Sequence, residues 1–466
     1  MSGPRFGFGW PGHREFERLL RSPLGALAEM PWLDTVGIFA LRRWYFPLSR
    51  LWAAAGVADG LVTRFLAAAG IAPGQGAVAA AAQLALARFG QTQRRLVTAT
   101  AAWDDAFFGA APPAADALAA IEAERLSAAF AHMTARAAFY PLWALADAPP
   151  VRWDIAPPAE VEAIYGPLRA TPALAYAAPD GVDIATSPRH PTGAGTRRWL
   201  RFASPSARMG DTAFARVTEP AGESGAPVVI VANGVCIEVD YLEGGLDTAA
   251  TLASMGLRVV ELVTPWHGRR TEPGWYAGEA FFGRAPLGTI DLFTAEVKEL
   301  AALIGWARAE FGAPVGLLGF SLGALASQLV ATHCAGWPEA LRPDAVMLVA
   351  HSGRIDNVTY AGRLTAELGL ARALAAAGWA RSALEHWIGL VNPGPAPGID
   401  ASRIVSVVGL ADRITPPEDG IALCDRWRIP RANRFVSNQC HFSKPVHLYR
   451  HRAPVERFVS LLRGAD

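Results

Sequence analysis

From about residue 196 the sequence alternates between short β-branched runs and longer stretches with helical spacing. The strand-like runs are Trp199 to Ala203, Ala213 to Val217, Val228 to Ala232, Leu257 to Val263, Val315 to Phe320, Ala345 to Ala350, Ile404 to Leu410 and Arg434 to Ser437. Helical stretches lie at Gly245 to Met255, Asp291 to Phe311, Leu322 to Cys334, Glu418 to Trp427 and Pro445 to Leu462. Two strands come first with no helix between them, and strand and helix then alternate. Parallel neighbours need a long crossover, so this order predicts an α/β fold with a mostly parallel central sheet and helices on both faces. A run such as Val228 to Val231, apolar at every position, suits a strand covered on both sides.

The preceding sequence is of another kind. Residues 13 to about 146 are rich in Ala, Leu, Arg and Trp at helical spacing, broken at Pro47, Gly56, Pro73-Gly74, Pro112-Pro113 and Pro149-Pro150. They read as four to six helices and no strands, the longest from Ala77 to Phe108. Prolines then recur from 149 to 191, with Trp153, Ile155, Tyr165 and Tyr176 among them, which predicts an ordered but irregular connector. The expected organisation is an α-helical N-terminal region over 1–150, a Pro/Gly-rich connector over 151–195 and an α/β domain over 196–466. A helical lid insert at about 356–400 reads as three short helices.

Composition narrows the partners. At a formal net charge of +1, nothing points to nucleic acid. The four cysteines, at 236, 334, 424 and 440, show no CxxC or zinc spacing, so they read as reduced thiols of a cytoplasmic protein with no metal. The N-terminus has no apolar stretch before its first charges, which predicts no secretory signal. The longest apolar candidate, Val36 to Ala55, is interrupted by Arg42, Arg43, Pro47 and Arg50, which predicts no transmembrane helix. Its Phe39, Trp44, Tyr45, Phe46 and Trp52 beside three arginines have the composition of an interfacial helix, so one expectation is peripheral membrane contact through residues 36–55. The other is that the N-terminal helices bury these rings against the catalytic domain or a second copy in a homodimer.

The chemistry is written at Val315-Gly-Leu-Leu-Gly319-Phe320-Ser321-Leu322-Gly323, a GxSxG at the end of an apolar strand and the start of a helix. There a serine sits on a sharp strand-to-helix turn, and flanking glycines leave room for the neighbouring chain. A serine hydroxyl near neutrality needs a base, and the base needs a group to hold its tautomer. Downstream, His441 stands between the last strand and the last helix, whereas His333, His386, His447 and His451 fall on helices. Asp412 is the first carboxylate after the penultimate strand, with Asp356 the alternative acid. The oxyanion donors should be the N–H of Leu322 and one from the loop Asn233-Gly-Val-Cys236, with Val235 preferred over Cys236. His267, in Pro265-Trp-His-Gly-Arg-Arg270, reads as a structural loop residue or a hydrogen bonder behind the site. Cys236, Trp266, His267, Phe320, Trp275 and Phe281 are the candidate pocket residues.

Residues of about 228–460 resemble the α/β-hydrolase superfamily in five places: "NGV", "PWHGRR", "GFSLGA", "GLADRITPP" and "QCHF". The helical N-terminal extension resembles that of some uncharacterised hydrolases. Asn233 stands where many members carry His, and Cys440 where they carry Gly. The resemblance implies a serine hydrolase of the esterase type, with Ser321, His441 and Asp412 as triad and no metal or cofactor. The aromatic and aliphatic side chains of the inserts at Thr271 to Thr289 and Asp356 to Asp400 suit a small-molecule carboxylic ester with an apolar acyl part. Thioesterase, amidase and acyltransferase chemistry use the same triad, and a non-catalytic lipid-binding or scaffold protein could keep the fold.

Overall fold

The computed structural model describes Arg18 and residues 22–72, 76–193, 195–222, 225–240 and 247–464. The reading of the N-terminus, the break at Pro73-Gly74 and the helix start expected at Gly245 lie outside the described residues.

Ten strands form one sheet: β1 (Ala185–Thr186), β2 (His190–Thr192), β3 (Gly195–Ala203), β4 (Thr212–Pro220), β5 (Val228–Ala232), β6 (Arg258–Leu262), β7 (Val315–Phe320), β8 (Ala345–Val349), β9 (Ile404–Gly409) and β10 (Arg434–Ser437). Their order is β1-β3-β4-β6-β5-β7-β8-β9-β10, with β2 beside β3. β6, β5, β7, β8, β9 and β10 are mutually parallel, and β4 joins them antiparallel through β6. The alternation of side chains divides the core. Val228, Ile230, Val315 and Leu317 enter the larger cluster, and Val229, Val231, Leu318 and Met347 a smaller one on the other face.

This strand order fixes where a site can be. The chain leaves β5 for β6 on one side, then crosses back to β7 on the other. The loops after β5 and β7 therefore diverge at the carboxyl edge and open a crevice between them. Ser321 follows β7, and Asn233 to Cys236 follow β5.

Several elements depart from expectation. β3 and β4 are longer than the apolar runs suggested, and two edge strands precede them, because Arg197, Arg198 and Arg216 are buried within the sheet and disguise it as polar sequence. The insert after β8, expected as a lid of three helices, holds five short ones: Ile355–Ala361, Arg363–Leu368, Leu370–Ala376, Arg381–Glu385 and Ile388–Val391. Gly362 and Gly369 divide the first three of them. The last helix is two, Ser443–Arg450 and Ala453–Arg463, with Pro454 in the first turn of the second, where its missing N–H costs nothing. The connector contains a helix, Pro158–Arg169. It is fastened to the lid region by the indole of Trp379, which donates to the Ala156 carbonyl at 2.8 Å.

Among the described residues the N-terminal region contains α-helices Leu33–Ala40, Phe46–Ala55, Val62–Ala68, Ala77–Phe108, Ala115–Thr134 and Tyr140–Leu145. They have a core of their own around Leu51, Phe65, Phe89 and Phe139, yet Ile38, Phe46 and Ala53 belong to the same cluster as the sheet. Within 36–55, Phe46, Arg50, Leu51 and Ala53 to Ala55 point inward, and Val36, Phe39 and Trp44 are the exposed large apolar side chains. No helix among the described residues is long and apolar enough to cross a membrane.

Candidate active site

The turn after β7 is forced into shape by its neighbours. Ser321 has φ +52° and ψ −113°, a conformation that costs roughly 1–3 kcal/mol in an L residue. Its N–H donates to the Val349 carbonyl of β8, and the Gly323 N–H to the Asn233 carbonyl after β5, both at 3.0 Å. A Cβ on Gly323 would lie 2.1 Å from the Ala232 carbonyl oxygen, and one on Gly319 would lie 2.4 Å from the Gly323 oxygen. Both glycines of the motif are thus demanded by close backbone approach. Strain recurs along the same edge. Among the described residues, Cys236, Trp266, Ser321 and Ala350, following β5, β6, β7 and β8, are four of the six non-glycine positions with positive φ. Such clustering marks sites where surrounding structure holds the backbone against its preference.

Three side chains far apart in sequence form one line. His441 Nε2 is 2.9 Å from Ser321 Oγ, and His441 Nδ1 is 2.8 Å from Asp412 Oδ2. The carboxylate is held in turn: Oδ1 accepts the N–H groups of Ile414 and Thr415 at 2.8 Å each, and Oδ2 accepts the Thr415 hydroxyl at 2.7 Å. Burial opposes a charged imidazole at 441, but the Asp412 charge and hydrogen bond, with Asp34 beyond, outweigh it and raise its pKa above the ordinary value. Burial also opposes ionisation of Asp412. The neighbouring imidazole and the donors of Thr415 prevail there and hold its pKa low. The arrangement keeps a proton on Nδ1 and leaves Nε2 to take one from the serine. Asp356 is turned elsewhere, paired with Arg354 and bonded by Asn392 at 2.8 Å.

That line of bonds, on that strand order, decides the architecture. The fold is that of the α/β-hydrolases. No family model matches the sequence, and no curated protein matches it. Similar solved structures include a cold-adapted esterase from an Arctic intertidal metagenomic library, at 17% identity over 59% of this chain and 97% of that one, with a TM-score of 0.39. Acetyl xylan esterase 1 from Thermoanaerobacterium sp. is 16% identical over 61% and 93%, with a TM-score of 0.40. Brefeldin A esterase, a bacterial homologue of human hormone sensitive lipase, is 17% identical over 68% and 87%, with a TM-score of 0.37. Likenesses this weak carry nothing about the substrate of this chain.

In this α/β-hydrolase fold, the N–H groups of Leu322 and Val235 donate to no protein acceptor among the described residues. The Cys236 N–H is consumed by His267 Nε2 at 2.9 Å, whereas that of Val235 is not. His267 is buried, and burial lowers its pKa to about 4. The neutral ring donates from Nδ1 to the Pro265 carbonyl at 2.9 Å and accepts at Nε2. It is a fastener of the loop after β5. Gly278 closes over it, since a Cβ there would meet His267 Nε2 and Val235 Cγ2 at 2.8 Å.

The candidate pocket residues divide. Trp266, Trp275 and Phe281 are buried members of the larger core cluster. Trp275 lies under the guanidinium groups of Arg152 and Arg284, and Phe281 meets Phe282 and Phe293 edge-on. Phe320 points to the opposite face of the sheet, lining an apolar cavity with Leu318, Met347 and Leu448. A second apolar cavity lies between the helices of the insert after β8 and the start of helix Leu287–Phe311, lined by Ile290, Ile355, Tyr360, Leu374 and Trp387. Sequence reasoning missed two groups. Thr415, three residues after Asp412, could have been found as an Asp-x-x-Thr loop. Asp34, which reaches the backbone of His441, has no local signal.

Proposed function

We propose that the protein hydrolyses a carboxylic ester through an acyl-enzyme. The observation that carries this reading is the continuous line Ser321 Oγ, His441, Asp412, at 2.9 and 2.8 Å, beside two unpartnered backbone N–H groups. Ser321 Oγ attacks the acyl carbon while its proton passes to His441 Nε2. The carbonyl electrons move to oxygen, and that oxyanion faces the Leu322 and Val235 N–H groups. Collapse re-forms the carbonyl and expels the alcohol, which takes the proton from His441. Water then repeats the cycle on the acyl-enzyme and frees the acid and the serine. The positive end of helix Leu322–His333, starting at the nucleophile, favours the same charge.

The test is a fluorophosphonate label combined with a series of p-nitrophenyl esters from acetyl to palmitoyl. One label per chain, lost in Ser321→Ala, together with turnover of at least one ester, is the expected result. A folded protein that takes no label and turns over no ester ends the proposal in favour of a binding or scaffold role. Labelling with turnover of thioesters or amides alone moves the activity to those bonds.

A further inference from the structure

Resting on the hydrolytic reading, we propose that Asp34, from the N-terminal helix Leu33–Ala40, is a positioning residue that clamps the histidine loop and the acid loop together at the site. Its Oδ2 accepts the N–H of His441 and the N–H of Arg413, next to Asp412, and its Oδ1 accepts the N–H of Phe442, each at 3.0 Å. The residue is fully buried. A carboxylate in the first turn of a helix commonly serves that helix, but this one reaches loops 379 to 408 positions away. One side chain thereby fixes the backbone of the base and of the residue following the acid, the two ends of the 2.8 Å His441–Asp412 bond.

The clamp answers a need of the fold. Loops at the carboxyl edge have no ladder to hold them, and β10 is the last strand of the sheet. Upstream, the Ala411 N–H bonds to the Gln439 carbonyl at 3.1 Å, but that link stops short of the reacting residues. The helix is seated closely as well. At Gly37 a Cβ would lie 2.6 Å from two ring carbons of Phe442, so the glycine allows the approach that brings Asp34 within reach. The Met30 carbonyl accepts from Cys440 Sγ at 3.6 Å, and Glu29 pairs with His447 at 2.6 Å. The same N-terminal stretch thus follows the histidine loop into its helix. The charged groups around His441 are Asp412 on the acid loop, Asp34 on the N-terminal helix and Lys444 on the following helix, whose ammonium is tied to the Val408 carbonyl and the Ser437 hydroxyl.

Asp34→Asn keeps the shape and one acceptor oxygen but removes the charge. Gly37→Ala keeps the carboxylate and pushes its helix off Phe442. Both are made in the full chain and compared with wild type by melting temperature, kcat and KM on a p-nitrophenyl ester, the pH profile, and the downfield proton resonance of the His441–Asp412 bond in the resting protein. A displacement of about 1 Å can cost on the order of 100-fold. The expected result is a 10- to 100-fold fall in kcat for both variants with KM within about twofold, an acid limb moved to lower pH in Asp34→Asn, and a shifted or broadened resonance. A folded Asp34→Asn with wild-type kcat, acid limb and resonance overturns the assignment. So does unfolding of both variants, which would make the segment a strap for the fold alone. A wild-type protein that neither takes a fluorophosphonate label nor turns over ester overturns the hydrolytic reading instead, and the resonance still reports on the clamp.

Discussion

The ring Nε2 of His267 accepts the backbone N–H of Cys236 at 2.9 Å, and through that bond a side chain after β6 sets the loop after β5. The partner on the other ring nitrogen, the Pro265 carbonyl, fixes the tautomer that can accept.

His267→Ala should therefore lower kcat and spare KM. It leaves the Cys236 N–H without a partner and frees the Val235 donor to wander. A buried donor left unpaired costs about 1–3 kcal/mol, and loss of an oxyanion donor about 3 kcal/mol of transition-state stabilisation. We expect a 10- to 100-fold fall in kcat by steady-state kinetics; a value within twofold of wild type would deny His267 this role.

Mild acid should destabilise the protein through its buried histidines. Burial holds His132, His267, His333 and His351 neutral, with pKa values of about 4. In the unfolded chain the same rings titrate near the ordinary value of about 6.5. Between those limits the unfolded state binds more protons, so stability falls as pH drops from about 6.5 toward 4. The groups that burial raises, Glu296 to about 8 with Glu261, Glu279 and Asp419, work the other way, as does His441, raised by Asp412, while the lowered rings of His190 and His447 add to the four. Melting temperatures measured across this window should decline steadily, and a flat profile would contradict the burial of these rings.

Asp412→Asn should reduce kcat by a factor on the order of 1,000 to 10,000 while the protein stays folded, because the amide can donate to Nδ1 and favour the wrong tautomer. The wild-type acid limb should lie above the pKa of free histidine, since the base works only when neutral and its pKa is raised. In Asp412→Asn that limb should move down. If the limb stays in place, Asp412 is not the group that raises His441.

Arg50 on helix Phe46–Ala55 and Glu279 in the insert after β6 form a buried ion pair at 2.7 Å. Glu279 also accepts the N–H groups of Arg152 and Tyr276. Arg50→Met leaves that charge buried and should cost about 3–5 kcal/mol, whereas the double variant Arg50→Met with Glu279→Leu should recover much of the loss. Denaturant unfolding of all four proteins in the cycle tests this, and strict additivity of the two single effects would refute it.

The hydrogen-bonded line of Ser321, His441 and Asp412 was legible because each member lies in a short segment whose local chemistry is distinctive. Ser321 stands between two glycines that the backbone cannot spare, and Asp412 and His441 follow short β-branched or aromatic runs, Ile404–Gly409 and Arg434–Ser437, that read as strands. Where burial and polarity disagree, the reading failed. Arg197, Arg198 and Arg216 hid the full length of β3 and β4 because their partners, such as Glu261 for Arg216, are paired only in space. The aromatic residues of the insert after β6 look the same in sequence whether they line a pocket or fill a core, and Trp275 and Phe281 fill the core. Asp34 was out of reach for a different reason: its partners lie at the other end of the chain, and no periodicity connects them.

The core shared by Ile38, Phe46 and Ala53 with the sheet bears on how this protein can be handled as an object of engineering. A shortened gene opening at residue 196 would encode every reacting side chain, yet it would strip apolar cover from the larger face of the sheet and break the Arg50–Glu279 pair. The first part of the polypeptide is not a detachable accessory, and neither grafting it onto another α/β domain nor replacing it with a foreign cap can be expected to leave either partner intact.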